Sequence, residues 1–186
     1  MDVPKAKKLL AEAGYPEGFT TTIRTLSEPP FIDIAARLQA TLAEGGIKAS
    51  IVTGTGNQVY GAMRARNFEI IVARGAERYP HPYFSLRTFA YNPNNSDDAG
   101  LPNFQGWRAS FFNPQLNSLI DQAGVTRDAA QRVSLYHQAQ TLYDQQVGPI
   151  LMISQMTDTV VSAADVKGFS GDDAEATRYL GVYKQR

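Results

Sequence analysis

The chain has 186 residues, 43% hydrophobic and 19% charged, an ordinary globular composition far from that of a disordered chain. Lys+Arg and Asp+Glu number 18 each, so the net charge is zero, which argues against nucleic-acid binding, where affinity rests on clustered positive charge. The absence of cysteine removes disulfides, thiolate nucleophiles and thiolate metal sites together, and no apolar run approaches the roughly 20 residues of a membrane span.

Met1-Asp2-Val3-Pro4 leads directly into a helical pattern without the features of a signal peptide. Asp2 is the expected cap, with Ala6, Leu9, Leu10 and Ala13 on one face and Gly14 as the stop. Phe19 to Leu26 reads as a strand, with Phe19, Thr21, Ile23 and Thr25 on one side. A stronger helix follows Pro29-Pro30, with Phe31, Ile34, Ala35, Leu38 and Leu42 as its apolar stripe and Gly45-Gly46 as its end. Ile47, Ala49 and Ile51 alternate with polar residues as a second strand. Gly54-Thr55-Gly56-Asn57 then turns the chain, and Asn57 is the predicted cap of a helix bearing Val59, Tyr60 and Met63. Phe68 to Ala73 is almost continuously apolar, the pattern of a strand buried on both faces. Strand and helix alternating over short links predicts parallel pairing through right-handed crossovers.

Residues 74–113 break this rhythm. Tyr79, Tyr83, Phe84, Phe89, Tyr91, Phe104 and Trp107 cluster there with Pro80, Pro82, Pro93 and Pro102, and only Leu86 to Tyr91 suggests a short helix. A long aromatic-rich irregular segment in a compact domain is usually functional. Asn113-Pro114 opens the next helix, with Leu116, Leu119, Ile120 and Ala123 as its stripe. Thr126 is the predicted cap of a longer helix that buries Leu135, Tyr136, Ala139, Leu142 and Tyr143. Pro149 to Ile153 reads as a buried strand, Thr157 to Ala163 as its continuation or return, and Arg178 to Tyr183 as a weak strand. The expected fold class is α/β, a mixed, mainly parallel sheet flanked by helices, with residues 1–186 as a single domain.

The chemistry of catalysis finds little support. Gly54-Thr55-Gly56 has Val59 where a dinucleotide fingerprint needs its third glycine, and no Gly-Lys-Ser/Thr phosphate loop occurs. His81 and His137 are the only histidines, and they are neither paired at helical spacing nor joined by cysteines, so no metal and no cofactor is expected. The doublets Asp97-Asp98 and Asp172-Asp173 lack the alternating ligands of a calcium loop and read as solvated loop charge. Gly168-Phe169-Ser170-Gly171 is not a nucleophile elbow, since Asp172 follows where its second glycine belongs. The chain is expected not to be an enzyme. Aromatic faces beside arginines and amides suit recognition of a ligand by stacking and hydrogen bonding. The plainer alternative is a satellite hydrophobic cluster beneath a long loop.

Lys5-Ala6-Lys7-Lys8-Leu9-Leu10-Ala11-Glu12-Ala13-Gly14-Tyr15-Pro16 resembles the "KAKxLLAEAGYP" segment of the extracellular solute-binding proteins of family 5. Further likenesses follow in order: Ile34 to Gln39 with Gly46-Ile47-Lys48, Phe68-Glu69-Ile70-Ile71, Pro82 with Leu86, Asn103, Phe112-Asn113-Pro114 with Leu119-Ile120, Arg132 to Gln140, and Val166-Lys167-Gly168-Phe169. Each piece is soft alone, and the ordered set spans nearly the whole chain.

The resemblance implies one lobe, most of the C-terminal one, of a two-lobed periplasmic-binding-protein (type II) architecture, with the N-terminal lobe absent from this chain. It also implies solute capture for an ABC importer in the periplasm or an equivalent extracytoplasmic space. The partners would be a small solute or short peptide, the membrane permease subunits and the missing lobe, against which an apolar surface would favour weak self-association. A ligand-sensing domain of a transcription regulator with the same fold is the alternative.

Arg74, Arg78, Tyr79, His81, Asn103 and Trp107 are the expected ligand contacts. Peptide-binding members carry an aspartate for the peptide ammonium four positions before the proline that Pro82 matches, and Arg78 stands there, with Glu77 the candidate acid if the match slips by a residue or two. Arg74 and Arg78 together would repel an ammonium and favour a carboxylate or phosphate, which points to an anionic or sugar-containing nutrient. Both arginines facing solvent is the alternative.

Overall fold

A computed structural model describes residues 2–75, 81–155, 157, 159–169 and 179–185. The chain divides into two compact units, Met1–Gly75 and Ala76–Arg186.

In the first unit the elements are α1 (Val3–Glu12), β1 (Thr20–Leu26), α2 (Phe31–Gly45), β2 (Lys48–Gly54), α3 (Gly56–Arg64) and β3 (Ile70–Val72). Asp2 caps α1 through the amide of Lys5, as its position before the apolar stripe requires. The three strands are parallel in the order β2-β1-β3, with Ile23 opposite both Ile51 and Ile70. β1 is therefore the central strand and carries the core with α2 and α3: Ile23, Leu26, Phe31, Ala35, Val59 and Val72 are buried together. Thr25 is also fully buried, and its hydroxyl donates to the Val72 carbonyl at 3.1 Å, so its burial leaves no polar group unpaired.

β3 departs from expectation. It spans three residues and has one strand neighbour among the described residues, so Ile70 and Ile71 are half-buried rather than covered on both faces. The cap of α3 is Thr55 rather than Asn57. Thr55 has the extended backbone a cap needs, and its side chain and amide form a reciprocal capping box with Gln58, whereas Asn57 already lies inside the helix. Gly18 (φ +73°) packs on Gly46, and a Cβ there would stand 1.9 Å from the Gly46 carbonyl oxygen. This contact joins the turn before β1 to the turn that ends α2.

The second unit holds α4 (Pro82–Phe89), a 3-10 turn at Asp97–Ala99, α5 (Gln105–Arg108), α6 (Pro114–Val125), α7 (Ala129–Gln145) and an antiparallel pair of β4 (Val166–Lys167) and β5 (Tyr183–Lys184). Leu116, Ile120 and Ala139 are buried with Ala90 and Tyr91, and Ala123 with Leu135 and Tyr136, along the α6–α7 seam. Asn113 caps α6 through the Leu116 amide, as expected with Pro114 following it. Asp128, not Thr126, caps α7. The Thr126 hydroxyl instead donates to the Gln122 carbonyl at the end of α6.

The late strands also need correction. Leu151, Met152 and Ile153 are 78%, 73% and 66% exposed and belong to no strand. The described part of 157–163 is likewise not strand, with Val160 and Val161 exposed. A continuous apolar run signals a strand only where another segment supplies its ladder partner, and among the described residues none does. The weak C-terminal strand shortens to Tyr183–Lys184. No helix among the described residues is long and apolar enough to cross a membrane.

Candidate functional site

Parallel α/β sheets present ligands at the carboxyl ends of their strands. Arg74 stands two residues beyond β3 at that edge of the first unit, with an exposed side chain. Its backbone is held by α3, since the Tyr60 hydroxyl donates to the Arg74 carbonyl at 2.9 Å. Arg78 and Tyr79, together with Glu77, lie outside the described residues.

In the second unit His81 is the cap of α4, and its Nδ1 accepts the Tyr83 amide at 3.2 Å. The ring stands edge-on to Phe84 and Tyr136, with centroids 6.1 and 6.2 Å away. His81 borders two cavities. One, of about 340 Å³, runs along Ser85, Leu86 and Phe89 of α4 to Gln140 and Tyr143 of α7 and to Ile150 and Met152. The Tyr143 hydroxyl closes its far wall by accepting the Ile150 amide at 2.9 Å and donating to the Ile150 carbonyl at 3.2 Å. Burial raises the Tyr143 phenol above its ordinary value, so the hydroxyl stays a donor. The other cavity, of about 320 Å³, lies between the start of α4, the end of α6 and the start of α7.

Asn103 is exposed on the turn before α5. Trp107 is 5% exposed, and its indole N–H donates to the Ser96 carbonyl at 2.9 Å, so its placement ties α5 to the 3-10 turn. The loop carrying both is fastened to α6 by an amide clamp. Asn117 accepts the Asn92 N–H at 3.1 Å and donates to the Asn92 carbonyl at 2.6 Å, while the Asn92 side chain donates to Asn95 and to the Phe111 carbonyl.

The aromatic cluster that the sequence marks for recognition is partly filled from within. The Arg87 guanidinium lies 4.6 Å from the Tyr91 ring centroid, 5.6 Å from that of Phe104 and 5.8 Å from that of Tyr83. Asp121 neutralises it at 3.5 Å and accepts the Tyr91 hydroxyl at 3.0 Å. Desolvation, followed by the bond to Asp121, holds the Tyr91 phenol above its usual value. These faces therefore stack on the protein's own cation, whereas the two cavities beside His81 are open concave surfaces among the described residues.

Sequence reasoning placed Tyr136 on a buried stripe and overlooked its company. Arg132, one helical turn before Tyr136, lines the same cavity as His81. The four-residue spacing of the pair on α7 was the available signal.

The family described as "Bacterial extracellular solute-binding proteins, family 5 Middle" matches residues 1–97, more than half of the chain. The chain belongs to this family. Among its relatives, the glutathione-binding protein GsiB of Shigella dysenteriae is 31% identical over 150 residues, 76% of this chain and 28% of that protein. The heme-binding protein A of Haemophilus influenzae is 28% identical over 190 residues, 97% of this chain and 32% of that protein. The periplasmic binding protein DppA of Helicobacter pylori, solved with the peptide STSA, superposes with a TM-score of 0.82 at 26% identity, covering all of this chain and 35% of its own. The chain thus spans about a third of the length of these relatives.

Proposed function

We propose that this chain is a lobe of a two-lobed family 5 binding protein that captures a solute outside the cytoplasmic membrane and delivers it to the permease of an ABC importer. The family match over residues 1–97 carries the reading, and a parallel α/β sheet with Arg74 at its carboxyl edge suits it. The solute contacts assigned are Arg74, Arg78, Tyr79, His81 and Asn103, with Trp107 holding the loop that presents Asn103. The ligand class is a peptide-like molecule rich in carboxylate. A guanidinium pairs best with planar anions and repels an ammonium. Relatives named for glutathione and heme, both carboxylate-bearing molecules, support that preference.

The test is a thermal-shift titration of the full-length polypeptide with glutathione, hemin, neutral dipeptides and sugar phosphates. A ligand at a hundredfold excess over its dissociation constant adds about 2.7 kcal/mol. Glutathione or another polycarboxylate is expected to give the larger shift, reduced by Arg74→Ala and Arg78→Ala. Tight binding of neutral dipeptides that is lost in Glu77→Gln and unaffected in Arg78→Ala would overturn the anionic assignment. No shift with any of these ligands would overturn the assigned ligand class.

A further inference from the structure

The cavity of about 320 Å³ at the start of α4 is lined by His81, Tyr83, Thr126, Arg132 and Tyr136, with Gly124 on the α6 side. Tyr136 is only 6% exposed, and its buried hydroxyl has no hydrogen-bond partner. Native structures rarely leave a buried hydroxyl unpaired, so such a group points to something it is built to meet. The other polar groups of the wall share its character. His81 accepts the Tyr83 amide on Nδ1, which leaves its ring proton on Nε2 as a donor. Arg132 is a permanent cation with donors only, and its Nη1 is anchored on the carbonyls of Thr126 and Arg127 at 3.1 and 3.4 Å. The Thr126 hydroxyl is turned to Gln122, and the Asp128 carboxylate nearby is engaged in capping α7. No carboxylate is among the described lining residues. Among the described lining residues the wall therefore offers donors and a positive charge, and no negatively charged acceptor.

We propose that this cavity binds a small carboxylate-bearing molecule, whose carboxylate accepts from the Tyr136 hydroxyl and pairs with Arg132. The rings of Tyr83 and Phe84 and the methyl of Ala123 supply an apolar wall. That wall suits a carboxylate attached to a carbon chain better than a phosphate, whose greater charge costs more to desolvate. The inference rests on the geometry of the second unit and does not depend on the transport role. Because His81 also belongs to the solute contacts assigned above, the test reads Tyr136 and Gly124, which do not.

The experiment is a titration of the isotope-labelled chain with sodium acetate, then with sodium phosphate, each against sodium chloride at matched ionic strength, followed by amide nuclear magnetic resonance. The amides of Gly124, Thr126 and Tyr136 are expected to shift saturably with acetate and not with chloride. Tyr136→Phe, which removes one oxygen and keeps the ring, should weaken acetate at least tenfold. Gly124→Ala places a Cβ 2.5 Å from the Tyr83 ring, so that this part of the cavity wall must shift, and should abolish saturation while the remaining spectrum stays native. No saturable shift, saturation by phosphate but not acetate, or binding by Tyr136→Phe within twofold of the parent overturns the proposal. Retained binding in Gly124→Ala overturns the placement of the ligand in this cavity.

Discussion

Replacing Asn117 by alanine cuts both bonds of the amide clamp that holds the 92–112 loop to α6. Asn92 is 0% exposed, so its N–H and carbonyl lose their partners where water does not reach them. Each stranded backbone group costs about 1–3 kcal/mol, or roughly 2–6 for the pair. That is a large share of the roughly 5–15 kcal/mol by which a domain is stable. With a urea slope of about 1–3 kcal/mol per molar, the midpoint should fall by at least about 0.7 M. Urea unfolding measures the total, and native-state hydrogen exchange at the Asn92 amide measures the local part. Asn117→Leu keeps the volume without the bonds and should cost nearly as much as alanine. Asn117→Asp keeps an acceptor for the Asn92 N–H but sets a carboxylate against the Asn92 carbonyl. It should therefore lower stability while preserving protection of that one amide. A loss below about 0.5 kcal/mol in Asn117→Ala, with Asn92 protection unchanged, would refute the reasoning.

Two further outcomes test the first unit. Gly18→Ala forces a side chain into a left-handed backbone at φ +73° and against the Gly46 carbonyl, and should lose at least about 2 kcal/mol in urea unfolding. A loss near zero would show that the two turns can separate freely. Glu69 accepts from the Thr22 hydroxyl, the Thr22 amide and the Thr21 hydroxyl, and these bonds hold its carboxyl below the ordinary value. Because the folded pKa is the lower one, its contribution is complete above the unfolded pKa, near 4.3, and fades as pH falls through the folded pKa. The gap in melting temperature between the parent and Glu69→Gln should thus be constant above about pH 5 and change on acidification. A gap that is flat down to pH 2 contradicts this linkage.

Much of the first unit was legible because its signals are local. Asp2 before the stripe of α1 marks a helix start from within one turn of chain, as Asn113-Pro114 does for α6 in the second unit. Period marks Ile23 on its strand and Phe31 and Ala35 on their helix as core. Even the misplaced caps, Thr55 for Asn57 and Asp128 for Thr126, missed by only two residues. Neighbouring polar side chains compete for the same orphan amides, and backbone geometry selects among them.

The candidate site was legible in kind but not in arrangement. Arg74, His81 and Asn103 could be picked out as exposed or edge residues by type and context. Nothing in their spacing shows that the Trp107 N–H is spent on Ser96, or that Arg87 occupies the rings of Tyr83, Tyr91 and Phe104. Nor does the apolar run 149–153 announce that its residues 151–153 are exposed, because burial depends on a partner segment and not on the run itself. The sequence alone determined the α/β alternation, the family and the chemistry available. The tertiary structure alone decided the strand order β2-β1-β3, the clamp between Asn92 and Asn117, and the meeting of Tyr136, Arg132 and His81 at one cavity. Local structure follows from propensity and period within a few residues, whereas contacts between residues distant in the chain exist only after the helices and strands have packed.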